Sequence, residues 1–256
     1  MDIYSGRFVL ILILSFISKS SSQSIIQISP EKYHKSSAAD LIYCDSWRFS
    51  VETNDAGIWT QVPSRCQDYV HDYLTGVRYR SDSEMVALNS LDFAKTVEFA
   101  GNGEDAWVFD IDETLLSNLP YYALHGFGSE TFDEVSFDEW VDLAEAPALP
   151  ASLKLYKELQ EMGFTIFLLT GRSEIQRNVT VKNLQYSGYR NWEKLILRGP
   201  SDSGKPAIVY KSERRKLLQD EGYTIHGSSG DQWSDLLGFA VAQRSFKLPN
   251  PMYYIA

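Results

Sequence analysis

Beyond Gly103 the chain alternates short apolar runs with longer amphipathic stretches, and this alternation constrains the fold more than any other feature. "AWVFD", "FTIFLLT", "EKLILR" and "YTIHGSSGD" are four such runs, and "LGFAVAQ" reads as a fifth. Each is bounded by turn residues and is too short for a buried helix, so each reads as a strand. Between them lie "SFDEWVDLAE", "PASLKLYKELQEMG", "SEIQRNVTVKNLQYSG" and "SERRKLLQDEG", which read as helices. Ser136 with Glu139, and Ser173 with Gln176, have the spacing of capping boxes. Pro150 at a first turn and Gly163 past a last one bracket a third helix. Strand and helix in repeated alternation predict an α/β fold, a Rossmann-like and mostly parallel sheet with helices on both faces.

The N-terminal part has a different pattern. Arg7, an apolar run over residues 8–17 and then small polar residues have the layout of a secretory signal peptide, with cleavage expected near Ser22 or Gln23. The run is too short to span a bilayer. Residues 24–60 carry polar clusters and scattered aromatics and read as a loop-rich covering segment. Val70, Tyr73 and Leu74, then Met85, Val86, Leu88, Leu91, Phe93, Ala94 and Val97, recur at helical spacing and predict two helices. The expected organisation is a signal peptide over 1–22, a loop and helical extension over 23–100, and an α/β core over 101–256 with a small helical cap around 118–150. With 256 residues, 44% of them hydrophobic, the chain can bury one sizeable core.

The net charge is −10, and removal of residues 1–22 would take away two bases and one acid, leaving about −11. Such a chain has no footprint for nucleic acid or for an anionic membrane, so neither is expected as a partner. A phosphate-bearing ligand would have to be met by local cations. The two cysteines, Cys44 and Cys66, predict one disulfide in an oxidising compartment, closing a loop of about 23 residues and contributing ~3 kcal/mol. No histidine pair accompanies them, which argues against zinc. "NVT" makes Asn178 the expected glycosylation site, on an exposed face.

Ligands of a parallel α/β sheet gather at the carboxyl ends of its strands. The first run ends in Asp110 and Asp112, with Glu113 beside them; the second ends in Thr170, Gly171 and Arg172; the fourth ends in Gly230, Asp231 and Asp235. Lys211 is expected to open the helix between the third and fourth strands and is preferred over Lys205, six residues upstream. Acids this close repel one another unless a cation sits among them. Asp110 and Asp231, on adjacent strand ends, suit a hard dication such as Mg2+. One carboxylate can attack phosphorus while a second exchanges a proton with the leaving oxygen and then with water. Thr170 and Lys211 suit the equatorial oxygens of a phosphoryl group.

These motifs carry a resemblance. "DIDET", "LLTGR", the lysine of "YKSERR" and "SGDQWSD" resemble motifs one to four of the haloacid dehalogenase (HAD) superfamily phosphatases. "FDIDETLLSNLPYY", "LILRGPSDSGKPAIVYKSERR" and "GDQWSDLLG" through "RSFKLPNPMYYIA" are similar to plant secreted acid phosphatases grouped with vegetative storage proteins, over roughly residues 35–256. The resemblance implies a nucleophilic Asp110 and Asp112 as general acid and base. It also implies phosphate binding at Thr170, Gly171, Arg172 and Lys211. Mg2+ ligation is implied for Asp110, the carbonyl of Asp112 and Asp231, with Asp235 in support. Some storage proteins of this kind have serine at the nucleophile position; this chain keeps Asp110, which favours an active, Mg2+-dependent acid phosphatase of small phosphorylated substrates. A storage or defence protein with incidental activity is the alternative. Asp112 argues against a dehalogenase, and a carbohydrate-binding module would leave the strand-end acids unexplained. Delivery to the cell wall or to a vacuole, and pairing as a homodimer, stay open.

Other residues have plainer readings. His125 and His226 lack metal-ligand spacing, and His226 reads as a satisfied strand histidine. Tyr121, Tyr122 and Trp140 line a small cap or simply pack. Only about 60 residues separate Asp110 from Thr170, which rules out a large cap and predicts an open pocket with broad substrate tolerance.

Overall fold

The computed structural model describes residues 37–55, 57 and 59–255, so the expected signal peptide lies outside the described residues. Helices α1 (Ala38–Glu52), α2 (Gln67–Thr75) and α3 (Val77–Ala94) precede strand β1 (Asp105–Phe109). Helices α4 (Leu119–Leu124), α5 (Glu134–Leu143) and α6 (Pro150–Met162) lead to β2 (Thr165–Ser173). Then follow α7 (Arg177–Tyr186), β3 (Lys194–Arg198), α8 (Ala207–Asp220), β4 (Thr224–Gly230), α9 (Trp233–Leu236) and β5 (Arg244–Lys247).

The strands form one parallel sheet in the order β3-β2-β1-β4-β5. β1 is central and buried throughout. Its registers, Ala106 opposite Thr165 on one side and Ile225 on the other, align its carboxyl end with those of β2 and β4. The chain builds outward from β1 to β3, then returns to β4, so the switch of direction falls between β1 and β4, where a ligand crevice is expected.

Alternation along the strands assigns the two faces. Trp107, Phe109, Ile166, Leu168, Leu195 and Leu197 meet Leu91 and Ala94 of α3, Leu155, Tyr156 and Leu159 of α6, and Leu184 of α7. Ala106, Val108, Phe167, Leu169 and Ile225 meet Tyr210 and Leu218 of α8. Trp107 is fully buried, stacks on Phe246 at 5.3 Å and donates from Nε1 to Ser229 Oγ at 3.0 Å. Its ring crosses Gly227 so closely that a Cβ there would lie 2.4 Å from it, so this strand position needs glycine.

A second cluster joins the N-terminal extension to the cap. Cys44, Val62, Cys66, Val70, Tyr73 and Leu74 pack with Leu119, Tyr121, Tyr122 and Phe127 and with Leu248 and Met252 of the C-terminal tail. Cys44 and Cys66 are disulfide-bonded, tying α1 to the turn before α2 with their Cα atoms 5.4 Å apart. Pro150 and Gly163 bracket α6 as expected, with Gly163 at φ 101° and its N–H on Gln160 O. Asn178 is exposed in the first turn of α7. Among the described residues no helix is long and apolar enough to cross a membrane.

Four local expectations differ from the structure. Residues 38–52 are helical rather than loop: Ser37 Oγ caps α1 by accepting from Asp40 N at 3.1 Å, and Cys44, Trp47 and Val51 make one inward stripe, while Leu41, Ile42 and Phe49 stay exposed. Ser136 is not a cap, because Asp133 accepts from Val135 N and Ser136 N and starts α5 earlier. Lys211 does not open its helix; α8 starts at Ala207, after Pro206, and Lys211 lies one turn in. "LGFAVAQ" is not the fifth strand, which begins at Arg244. The carbonyls of Asp235, Leu237 and Ala240 instead converge on the buried guanidinium of Arg215, and a strand could not present all three to one group.

Candidate active site

The ladder to β4 continues one residue past β1: Asp110 N donates to Ser229 O at 3.0 Å, fixing the backbone at the end of the strand. The chain then turns sharply. Ile111 O accepts from the N–H groups of Thr114, Leu115 and Leu116, and Glu113 takes a left-handed φ of 52°, uncommon outside glycine. This turn directs Asp110, Asp112 and Glu113 to different partners.

Asp110 is buried and accepts from Lys211 Nζ at 2.6 Å; the same ammonium is bonded to Asp235. Lys205, by contrast, points away, to Glu213 at 2.6 Å and Asp202 at 3.3 Å. Gly230 makes room for Asp235, since a Cβ there would lie 2.3 Å from that side chain. Asp235 also accepts from Gln232 N at 2.9 Å. Asp231 accepts from Asn250 Nδ2 and Gln232 Nε2, each at 2.7 Å. Carboxylate oxygens of Asp110, Asp231 and Asp235 all lie within 4.8 Å of one another.

Charge in this cluster is unbalanced. Burial and Asp235 push the Asp110 carboxyl well above the usual range, with Lys211 pulling the other way. Burial, Asp235 and Glu113 push Asp231 up to about 7. Burial works against the Lys211 charge, but Asp110 and Asp235 hold it above an ordinary lysine. A buried, all-oxygen donor set with more carboxylates than cations fits a hard divalent cation, which would supply the missing positive charge.

The Asp112 side chain lies outside that trio. Arg172 grips it, Nη2 to Oδ1 at 2.7 Å and Nε to Oδ2 at 3.1 Å, while Nη1 donates to Thr180 Oγ1 at 3.3 Å. The expected phosphate ligand Arg172 is therefore a partner of Asp112, with its guanidinium committed inside the protein. Burial works to raise the Asp112 carboxyl, but Arg172 and Asn118 bring it below the usual range. Thr170 is fully buried at the end of the β2 apolar run, and its Oγ1 accepts from Arg172 N at 3.1 Å. Gly171 and Lys211 line the same cleft.

That cleft has a volume of about 980 Å³ and opens between the strand ends, the cap and the C-terminal tail. Tyr121, Tyr122 and Phe137 line its cap side, and Tyr253 its tail side. His125 lies at the cleft too, its ring tilted against Tyr121 with centroids 4.2 Å apart, and 3.3 Å from Glu130. Trp140 packs beneath and donates from Nε1 to Asn118 Oδ1 at 2.9 Å. His226 is satisfied far from the cleft by Asp105 at 2.7 Å and Gln243 at 3.0 Å.

Four polar residues of the site carry no mark of their role in the sequence pattern: Glu113, Asn118, Asn250 and Tyr253. Glu113 accepts from Asn118 N and Asn118 Nδ2 and from Tyr253 OH at 2.7 Å. Burial and Asp112 raise it to about 7. The only signal was their place inside long stretches of resemblance, which names no individual role.

A five-stranded parallel sheet of this order, with acids, threonine and lysine meeting at its strand ends, defines a HAD-like phosphatase. The family model of HAD superfamily subfamily IIIB, the acid phosphatases, matches residues 30–256. The chain belongs to that family. It is 53% identical to acid phosphatase 1 of Solanum lycopersicum, over 88% of either chain. It is 45% identical to the stem 28 kDa glycoprotein of Glycine max over 84% of either chain, and 37% identical to vegetative storage protein 2 of Arabidopsis thaliana over 96% of this chain and 97% of that one. The crystal structure of the class C acid phosphatase from Bacillus anthracis is similar at a TM-score of 0.59 and 26% identity, covering 75% of this chain and 86% of that one.

Proposed function

We propose that this acid phosphatase hydrolyses small phosphomonoesters through an aspartyl-phosphate on Asp110, with Asp112 as general acid and base and Mg2+ as its cation. The observation that carries this reading is the division of labour at the β1 end. Asp110 lies in the carboxylate trio beside Lys211, while Asp112, two residues on, is held apart by Arg172.

An Asp110 oxygen attacks phosphorus, and the bond from phosphorus to the ester oxygen breaks as Asp112 gives that oxygen its proton. A water then loses a proton to Asp112 and attacks phosphorus, the bond to Asp110 breaks, and phosphate leaves. Lys211 would meet the charge that builds on the phosphoryl oxygens, with the Thr170 hydroxyl beside Asp112 in support. Asp110, Asp231, Asp235 and the Asp112 carbonyl would hold Mg2+, which when bound neutralises these carboxylates and the phosphoryl group. Because Arg172 favours the Asp112 carboxylate, the protonated form needed for the first step is populated only in acid, in keeping with an acidic optimum.

Hydrolysis of an aryl phosphate near pH 5, with and without Mg2+ and beside Asp110→Asn, tests this. Metal-dependent turnover in the wild type alone supports it. Equal, negligible rates in both would favour the second reading, a storage or defence role, to which the storage-protein and stem-glycoprotein relatives point. The disulfide and exposed Asn178 support delivery by secretion, to the wall or to a vacuole, as a glycoprotein.

A further inference from the structure

Asn118 is fully buried between two carboxylates, and its amide makes the contacts its chemistry allows in only one orientation. Nδ2 donates to Asp112 Oδ1 at 2.9 Å and to Glu113 Oε2 at 3.1 Å. Oδ1 accepts from Trp140 Nε1 at 2.9 Å. An indole N–H can only donate, so a flipped amide would turn its NH2 toward the Trp140 N–H, donor against donor, and lose that contact. Trp140, on cap helix α5, thereby dictates that the amide donors of Asn118 face Asp112. Glu113 fixes the backbone of the same residue by accepting from Asn118 N, and Tyr253 of the tail holds Glu113 at 2.7 Å.

We infer that Asn118, oriented by Trp140, is a positioning residue that aims Asp112 at the leaving-group oxygen. Arg172 holds both carboxyl oxygens of Asp112, and Asn118 adds a second donor on Oδ1 that restrains the rotation of the carboxyl group. The cap is thus wired to the acid through one hydrogen bond as well as forming a wall of the cleft. This inference rests on Asp112 being the general acid, and it makes a claim that general support of the fold would not make. A misaimed acid matters when the departing oxygen needs a proton and matters little when it leaves readily as an anion.

The test compares kcat/KM for 4-nitrophenyl phosphate, whose leaving group needs little help, with that for 2-glycerol phosphate, whose alkoxide needs a proton. Asp112→Asn sets the reference, with the glycerol ester losing at least about tenfold more than the aryl ester. Asn118→Ala is expected to follow it. Trp140→Phe, which keeps an aromatic ring and removes only the N–H donor, is expected to show the same bias at roughly three- to tenfold, a part of the general-acid effect. It decides the question if Asn118→Ala does not fold. Equal losses on both esters in Trp140→Phe and Asn118→Ala, beside a selective Asp112→Asn, would overturn the positioning role alone. An unselective Asp112→Asn would remove Asp112 as the acid, and the inference with it.

Discussion

Arg172 Nη2 lies 2.7 Å from Asp112 Oδ1, and the two form a salt bridge in which the arginine side chain is 3% exposed and the aspartate 19%. Desolvation alone would make Asp112 a weaker acid than usual; the guanidinium reverses the sign. The pair sets the pH at which Asp112 can carry a proton. Arg172→Gln should therefore move the alkaline limb of the kcat/KM profile upward, by about 1–2 pH units, because burial then acts unopposed by the cation. A profile that stays in place, or moves toward acid, would show that Asp112 is not the group titrating.

The carboxylate trio makes a prediction about metal and pH together. Asp231 and Glu113 are each raised to about 7, and Asp110 is raised as well. A carboxyl raised on folding contributes stability that is fully present below its unfolded value, near pH 4, and is lost as pH rises through the folded value. Metal-free protein should accordingly lose stability between about pH 4 and pH 7. Mg2+ competes with those protons, so its stabilisation should be small at pH 4.5 and large at pH 7. At a hundredfold excess over Kd it contributes about 2.7 kcal/mol, a rise in Tm of roughly 5–10 °C for a chain of this size. Thermal melts with and without Mg2+ at both pH values measure this. Asp231→Asn should flatten both dependences, and a larger Mg2+ effect at the lower pH would contradict the assignment.

What was legible in the sequence divides along physical lines. Strand runs such as "FTIFLLT" are written as continuous apolar stretches because a doubly covered parallel sheet buries both faces, so four strands and the carboxyl-end rule were readable. Asp110, Thr170, Lys211 and Asp231 come from four separate segments yet sit at strand or helix positions that the topology must bring together. Asn118, Asn250 and Tyr253 act through side-chain hydrogen bonds from loop, turn and tail positions that no periodicity marks. Arg172 was readable as a site residue but not as the partner of Asp112, because distance between side chains has no trace in spacing. The segment after Leu236 misled for a related reason. Its apolar residues looked like a strand, while its backbone was shaped by the buried Arg215.

The Cys44–Cys66 disulfide reaches the active site through the end of α1. Glu52, its last residue, pairs with Lys247 Nζ at 2.8 Å and accepts from Asn250 N at 3.0 Å, while the Asn250 side chain donates to Asp231 at 2.7 Å. Trp233 Nε1 donates to Glu52 O at 3.1 Å, tying the same helix end to α9, which carries Asp235. Loss of the disulfide should cost about 3 kcal/mol by loop entropy and loosen α1 first, because its other buried contacts are few. The Cys44→Ser/Cys66→Ser variant should thus melt several degrees lower and also bind Mg2+ more weakly at temperatures where it is still folded. Glu52→Gln separates the two effects: it keeps the disulfide and weakens the contacts of Glu52 with Lys247 and Asn250. If Glu52→Gln leaves Mg2+ affinity unchanged while the double serine variant lowers it, the coupling does not run through Glu52 and Asn250.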